Sequence, residues 1–312
     1  MMADEHDSQG ETMPQLSRRE FAALAAVAAV APFATSRTTS GARAISATDV
    51  IDRMKKNIGV EWKTETLDTV KAGDPSATVT GIVTTSLASL AVLQQAVTSG
   101  ANLVITTQPV FFSRADARTP PAGRGGAPAP PDAVFTAKDE FITKHNLVVF
   151  RLTDHWRLRQ PNPAASAIAA ALGWTKAIAG TAARFEIPAV TLDALAVTVK
   201  KRLDVRGGIR VVGDRRLRVQ RVGVLPGSTP LAAALAMLPE VDAVVAGEVR
   251  EWESVEYARD KVDGGEQKAL ILIGRIVSEE AGMKSCAEWI KTLVPEVPVR
   301  HISAGDPYWR PA

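Results

Sequence analysis

The strongest constraint on this chain is the regular alternation of two apolar patterns from Ile45 onward. Continuous apolar runs of strand length over 79–85, 102–106 and 147–152 alternate with stretches whose apolar residues recur at helical spacing. Val50, Ile51, Met54 and Ile58 fall on one helical face. Further helices are expected over 87–99, with Ser86 as cap and Gly100 as stop, and over 134–145 and 164–172. The second half repeats the plan. Helices are predicted over 192–203, 231–238, 252–260 and 279–293, and strands over 209–212, 219–225, 243–246, 269–273 and 299–302. This order predicts an α/β fold of two similar lobes, 45–186 and 187–312, each with a largely parallel sheet. The strand–helix–strand unit from Gly81 to Thr106 has the plan of the unit from Val222 to Ala246, which supports the pairing of lobes.

Composition narrows the chemistry. The 312 residues are 46% apolar and 23% charged, enough for a core without staples, and the single cysteine, Cys286, excludes an internal disulfide. Cys286 sits on the buried pattern of the last helix, which argues against a nucleophile. No Walker loop, G-x-S-x-G elbow or dinucleotide fingerprint is present. Basic and acidic residues number 37 and 34, a net charge of +3. The stretch 200–221 carries nine Lys/Arg, yet no Phe, Trp or Tyr occurs from Ile187 to Glu251. It reads as a solvated hairpin face, and nucleic acid is not an expected partner. No apolar run reaches the roughly 20 residues of a membrane span.

The first residues read as an address. Ser17-Arg18-Arg19-Glu20-Phe21, an Ala/Val-rich segment and Ala42-Arg43-Ala44 resemble a twin-arginine export signal occupying 1–44. The resemblance implies a mature protein in the periplasm or outside the cell. A Pro/Gly-rich stretch over 119–131 reads as a surface loop.

In open α/β sheets, ligands bind beyond the carboxyl ends of the strands. Four strand ends here carry polar groups: Thr106-Thr107-Gln108, Thr153-Asp154-His155, Gly247-Glu248, and Gly274-Arg275 leading to Ser278-Glu279-Glu280. If the strands are parallel neighbours, these groups face one crevice between the lobes. Each member also suits a structural role. Asp154 fits a cap, His155 an ordinary boundary histidine, and Ser278 with two glutamates a helix start.

These residues, with Lys71-Ala72-Gly73-Asp74-Pro75 and Ala304-Gly305-Asp306-Pro307, resemble the NIF-three-like dinuclear-metal proteins, also labelled GTP cyclohydrolase 1 type 2-like. The resemblance implies two α/β lobes in a homo-oligomeric, hexameric ring, with a two-metal site between the lobes. By position it places ligand histidines at Thr107, Gln108 and Arg275, and a bridging carboxylate at Glu279. Asp154 and His155 match a middle motif. Three of the implied histidines are therefore absent, and a guanidinium about 5 Å from a divalent ion repels it by about 6–7 kcal/mol at an effective dielectric near 20. The expectation is at most one divalent ion (zinc, manganese or iron) on Asp154, His155 and Glu279, or none. On one reading the protein is a metal-dependent hydrolase with Glu248 and Glu279 as its catalytic residues, Glu279 helping to hold the ion and Glu248 serving as the acid/base. The alternative is a metal-free oligomeric relative that binds a small anion through Arg275, Arg151 and Arg157, or serves structurally.

Overall fold

The computed structural model describes residues 44–122, 129–178, 183–309 and 311, which belong to one compact unit. The segment expected to be a twin-arginine signal lies outside them except for Ala44, as do residues 123–128 of the Pro/Gly-rich stretch.

The first sheet has the order β1 (Val70–Ala72), β4 (Val148–Arg151), β3 (Leu103–Thr106), β2 (Ile82–Thr85) and β11 (Val299–His301). Three of its four pairings are parallel and only β1 runs against its neighbour. Strands β2, β3 and β4 are buried throughout, as continuous apolar runs require. Ile82, Leu103, Ile105, Val148 and Phe150 pack towards α1 (Ala47–Asn57) and the long α9 (Arg275–Leu293). Val83, Val104 and Val149 point the other way, against α2 (Leu90–Thr98) and α3 (Ala133–Lys144). The period of two along each strand thus splits the sheet between two cores.

The second sheet runs β5 (Lys176–Ala177), β6 (Arg184–Thr191), β8 (Arg218–Ser228), β9 (Ala243–Glu248), β10 (Ala269–Leu272) and β7 (Arg210–Val212). Its centre, β8–β9–β10, is parallel, and antiparallel strands flank it on both sides. One face meets α5 (Pro163–Leu172) and α6 (Leu192–Arg202); the other meets α7 (Leu231–Met237) and the start of α8 (Glu256–Asp263).

Two local expectations change. Helix α2 is capped by Ser89, whose hydroxyl accepts from Val92 N–H, while Ser86 is buried and donates to Glu280. Helix α9 begins at Arg275, four residues before the expected start, because the positive φ of Gly274 (+87°) turns the chain straight from β10 into helix.

Helix α9 lies between the two sheets. It packs on β8, β9 and α5 on one side and on β2 and β11 on the other. Its close approach to α5 depends on Gly282, where an added Cβ would lie 2.8 Å from the Ala164 Cβ. After α9 the chain returns to the first sheet as β11, alongside β2, whereas α5 and β5 belong to the second half. The first sheet is therefore assembled from two separate stretches, 70–151 and 299–301, whereas all strands of the second lie within 176–272.

Candidate functional site

Glu279 lies one turn into α9 and is 4% exposed. Both its oxygens accept from Gln108 Nε2, at 2.7 and 2.6 Å, and Oε1 also accepts from Arg157 Nη2 at 2.6 Å. Gln108 follows β3 in the first sheet, and Arg157 rides on the short helix α4 (Asp154–Leu158) that follows β4. From the second sheet, Glu248 at the end of β9 accepts from Arg275 Nη2 at 2.8 Å. Arg275 Nη1 donates to Gln108 Oε1 at 3.2 Å. One chain of contacts, Glu248–Arg275–Gln108–Glu279–Arg157, thus bridges the two sheets beyond the ends of their parallel strands.

Each link has a reason in the chemistry. The Gln108 amide can be oriented only one way, since its nitrogen must face a carboxylate and its oxygen a guanidinium. Burial pushes the Glu279 carboxyl above the ordinary glutamate range, although Arg157, Gln108 and Arg275 pull against it. Such a group takes up a proton at higher pH than a surface glutamate. Gly227, at φ +76°, passes so close that an added Cβ would lie 2.5 Å from Glu279 Oε1 and 2.6 Å from Arg157 Nη2. The Arg157–Glu279 pair therefore fits only because β8 carries glycine there. Ser278 ties the same corner together: its hydroxyl accepts from Gly227 N–H at 2.8 Å and donates to Arg275 O at 2.6 Å.

Asp154 and His155 are held by a different cluster. The His155 ring is fully buried and stacked on Trp62, with centroids 3.8 Å apart. Its Nε2 accepts from Lys63 N–H at 2.9 Å, so the ring hydrogen lies on Nδ1, facing Asp68 Oδ2 at 2.8 Å. Asp68 also accepts from the backbone N–H groups of Thr153, Asp154 and His155, which fixes the first turn of α4. Asp154 Oδ2 accepts from the Thr66 hydroxyl and Leu67 N–H. Burial works against its charge, but these donors and Arg151 hold its carboxyl below the ordinary range. Both residues thus brace the 62–68 segment. Asp68 carries no sequence signal, because its partner lies 87 positions away.

The expected ligand set of Asp154, His155 and Glu279 is therefore divided. Both His155 nitrogens are committed, and Glu279 is already neutralised by Arg157. Thr107 is buried and neutral, and Arg275 brings a second cation beside Gln108. Among the described residues no group of three or more His, Cys, Asp or Glu side chains is placed to hold a metal ion. This donor set does not fit a two-metal centre. The three arginines are divided too: Arg157 and Arg275 join the bridge, while Arg151 donates to Asp116 Oδ2 and Arg114 O in the first lobe. In the basic stretch, Arg206, Arg210, Arg215, Arg216 and Arg221 all face carboxylates on the surface. Cys286 is fully buried, and burial pushes its thiol far up.

Residues 140–307 match the family described as Duf34/NIF3 (NGG1p interacting factor 3). The fold is similar to that of Staphylococcus aureus hypothetical protein SA1388, with TM-score 0.65 and 15% identity over 86% of this chain and 99% of that one. A Bacillus cereus protein related to NIF3 gives TM-score 0.66 and 13% identity over 86% of this chain and 100% of that one. Protein ybgI, of unknown function, gives TM-score 0.66 and 20% identity over 85% and 100% of the two chains. No curated protein matches the sequence.

Proposed function

The chain belongs to the Duf34/NIF3 family, and we propose that it is a member whose inter-sheet site takes up a small anion through guanidinium groups and works without metal ions. The observation that carries this reading is the Arg157 guanidinium seated on Glu279 at 2.6 Å. The resemblance makes that carboxylate the bridge between ions; here it is matched by an arginine and a glutamine amide. A resident cation of fixed charge leaves a divalent ion both repelled and short of ligands. The same guanidinium groups suit an oxyanion, which Arg receives through its planar fork of donors. Hydrolysis through metal-activated water has no support in this donor set. The proposal keeps the protein outside the cytoplasm, on the strength of the N-terminal segment alone.

The test is metal content and anion binding on the same preparation, purified without chelator or histidine tag. After incubation with zinc, manganese and iron, the protein should retain only substoichiometric metal. It should bind acetate or phosphate saturably, and Arg275→Gln should abolish that binding. Stoichiometric metal that survives dialysis would overturn the reading.

A further inference from the structure

Within the bridge, Gln108 and Glu279 are buried, but the side chains of Arg275 and Glu248 are 34% and 51% exposed. Their bond is a single contact, Arg275 Nη2 to Glu248 Oε1 at 2.8 Å. The Glu248 backbone is fixed, since its carbonyl accepts from Thr229 N–H and its strand pairs with Ser228. Only the side chain is free to swing into solvent. Arg275 does not depend on it for position. Gln108 Oε1 holds its other terminal nitrogen, and the Gln108 amide is in turn fixed by Glu279. Displacing Glu248 therefore leaves an oriented guanidinium with an open donor. That donor stands at the start of a 19-residue helix whose cap, Gly274, supplies no side-chain acceptor.

Building on the anion-binding reading above, we propose that Glu248 is the site's own stand-in ligand, its carboxylate competing on Arg275 with a small monocarboxylate. The charge balance selects this class. Exchanging one carboxylate for another leaves the network's net charge unchanged, whereas a phosphate dianion would add negative charge near Glu279. A partly exposed ion pair of this kind favours its closed form by roughly fivefold. Apparent affinity falls by the fraction of open sites, so freeing Arg275 should tighten binding by about the same factor.

The experiment is an NMR titration of the full chain and of Glu248→Gln, following the backbone amides of Gly247 and Gly274. The probes are sodium acetate and sodium phosphate at fixed ionic strength. Acetate should bind Glu248→Gln about fivefold tighter than the parent, with Glu248→Ala reproducing the gain. Equal acetate affinities in parent and variants would overturn the competition while leaving the anion-binding reading intact. A larger gain for phosphate than for acetate would overturn the assignment of ligand class. Absence of saturable binding of either anion by any of the three proteins would overturn the anion-binding reading, and this inference with it.

Discussion

Lys138 shows what burial does to a single charge in this fold. It is 4% exposed, its Nζ donates to Val110 O at 2.5 Å, and it lies over the rings of Phe111 and Phe112. Burial lowers its ammonium to about 8, with nearby Asp116 pulling the other way. In the unfolded chain the same group holds its proton to about 10.5. Between those values the unfolded state binds more protons, so stability rises with pH through that window. The gain is on the order of 3 kcal/mol. Urea unfolding at pH 7 and pH 10.5 should therefore show Lys138→Met lacking a rise that the parent displays. A parent-minus-variant difference that is flat with pH would show that the lysine keeps its proton in the fold. His155 teaches the complementary lesson. Its residue type suggested a ligand, but both ring nitrogens are spent on Lys63 and Asp68, and the ring is stacked on Trp62. Sequence spacing carries no trace of those partners.

At the scale of elements, α9 is the member on which the site depends, since it supplies Arg275, Ser278 and Glu279 from its first turns. Its contact with α5 leaves no room at Gly282. Gly282→Ala would gain about 1 kcal/mol of helix propensity. It would lose about 1–3 kcal/mol to overpacking against Ala164. The clash dominates because the atoms it meets include the Ala164 backbone, so denaturation should show net destabilisation. The buried parallel strands β2, β3, β4, β9 and β10 were legible because each is a continuous apolar run. Strand β6 was not. Its sequence contains Pro188, which argues against a strand, and its pairing with β8 shifts register between Glu186 and Val190, the irregularity that accommodates a proline. Helix α4 was also missed, because a five-residue helix cannot show periodicity and this one is set by Asp68 from outside it.

For the whole molecule, the rule that ligands gather beyond parallel strand ends correctly brought Gln108, Glu248, Arg275 and Glu279 together. The rule does not say which neighbour each side chain takes, and Asp154 and His155 turned to the 62–68 segment instead. Among the described residues no helix is long and apolar enough to cross a membrane. The proposed export rests on the sequence of the first residues alone, and it is directly testable. Replacing Arg18 and Arg19 by lysine should retain the protein in the cytoplasm, as judged by fractionation of the bacterial host; unchanged release would exclude the twin-arginine route. The return of the chain to its first sheet bears on how the protein is made. Strand β11 sets His301 beside Thr84, a residue 217 positions earlier. On the ribosome, the edge of β2 must stay unpaired until the 217 positions from Thr84 to His301 have been synthesised. The nascent protein thus carries an open strand edge while the whole second sheet is being made, and that edge closes only after the strands of the second sheet have emerged.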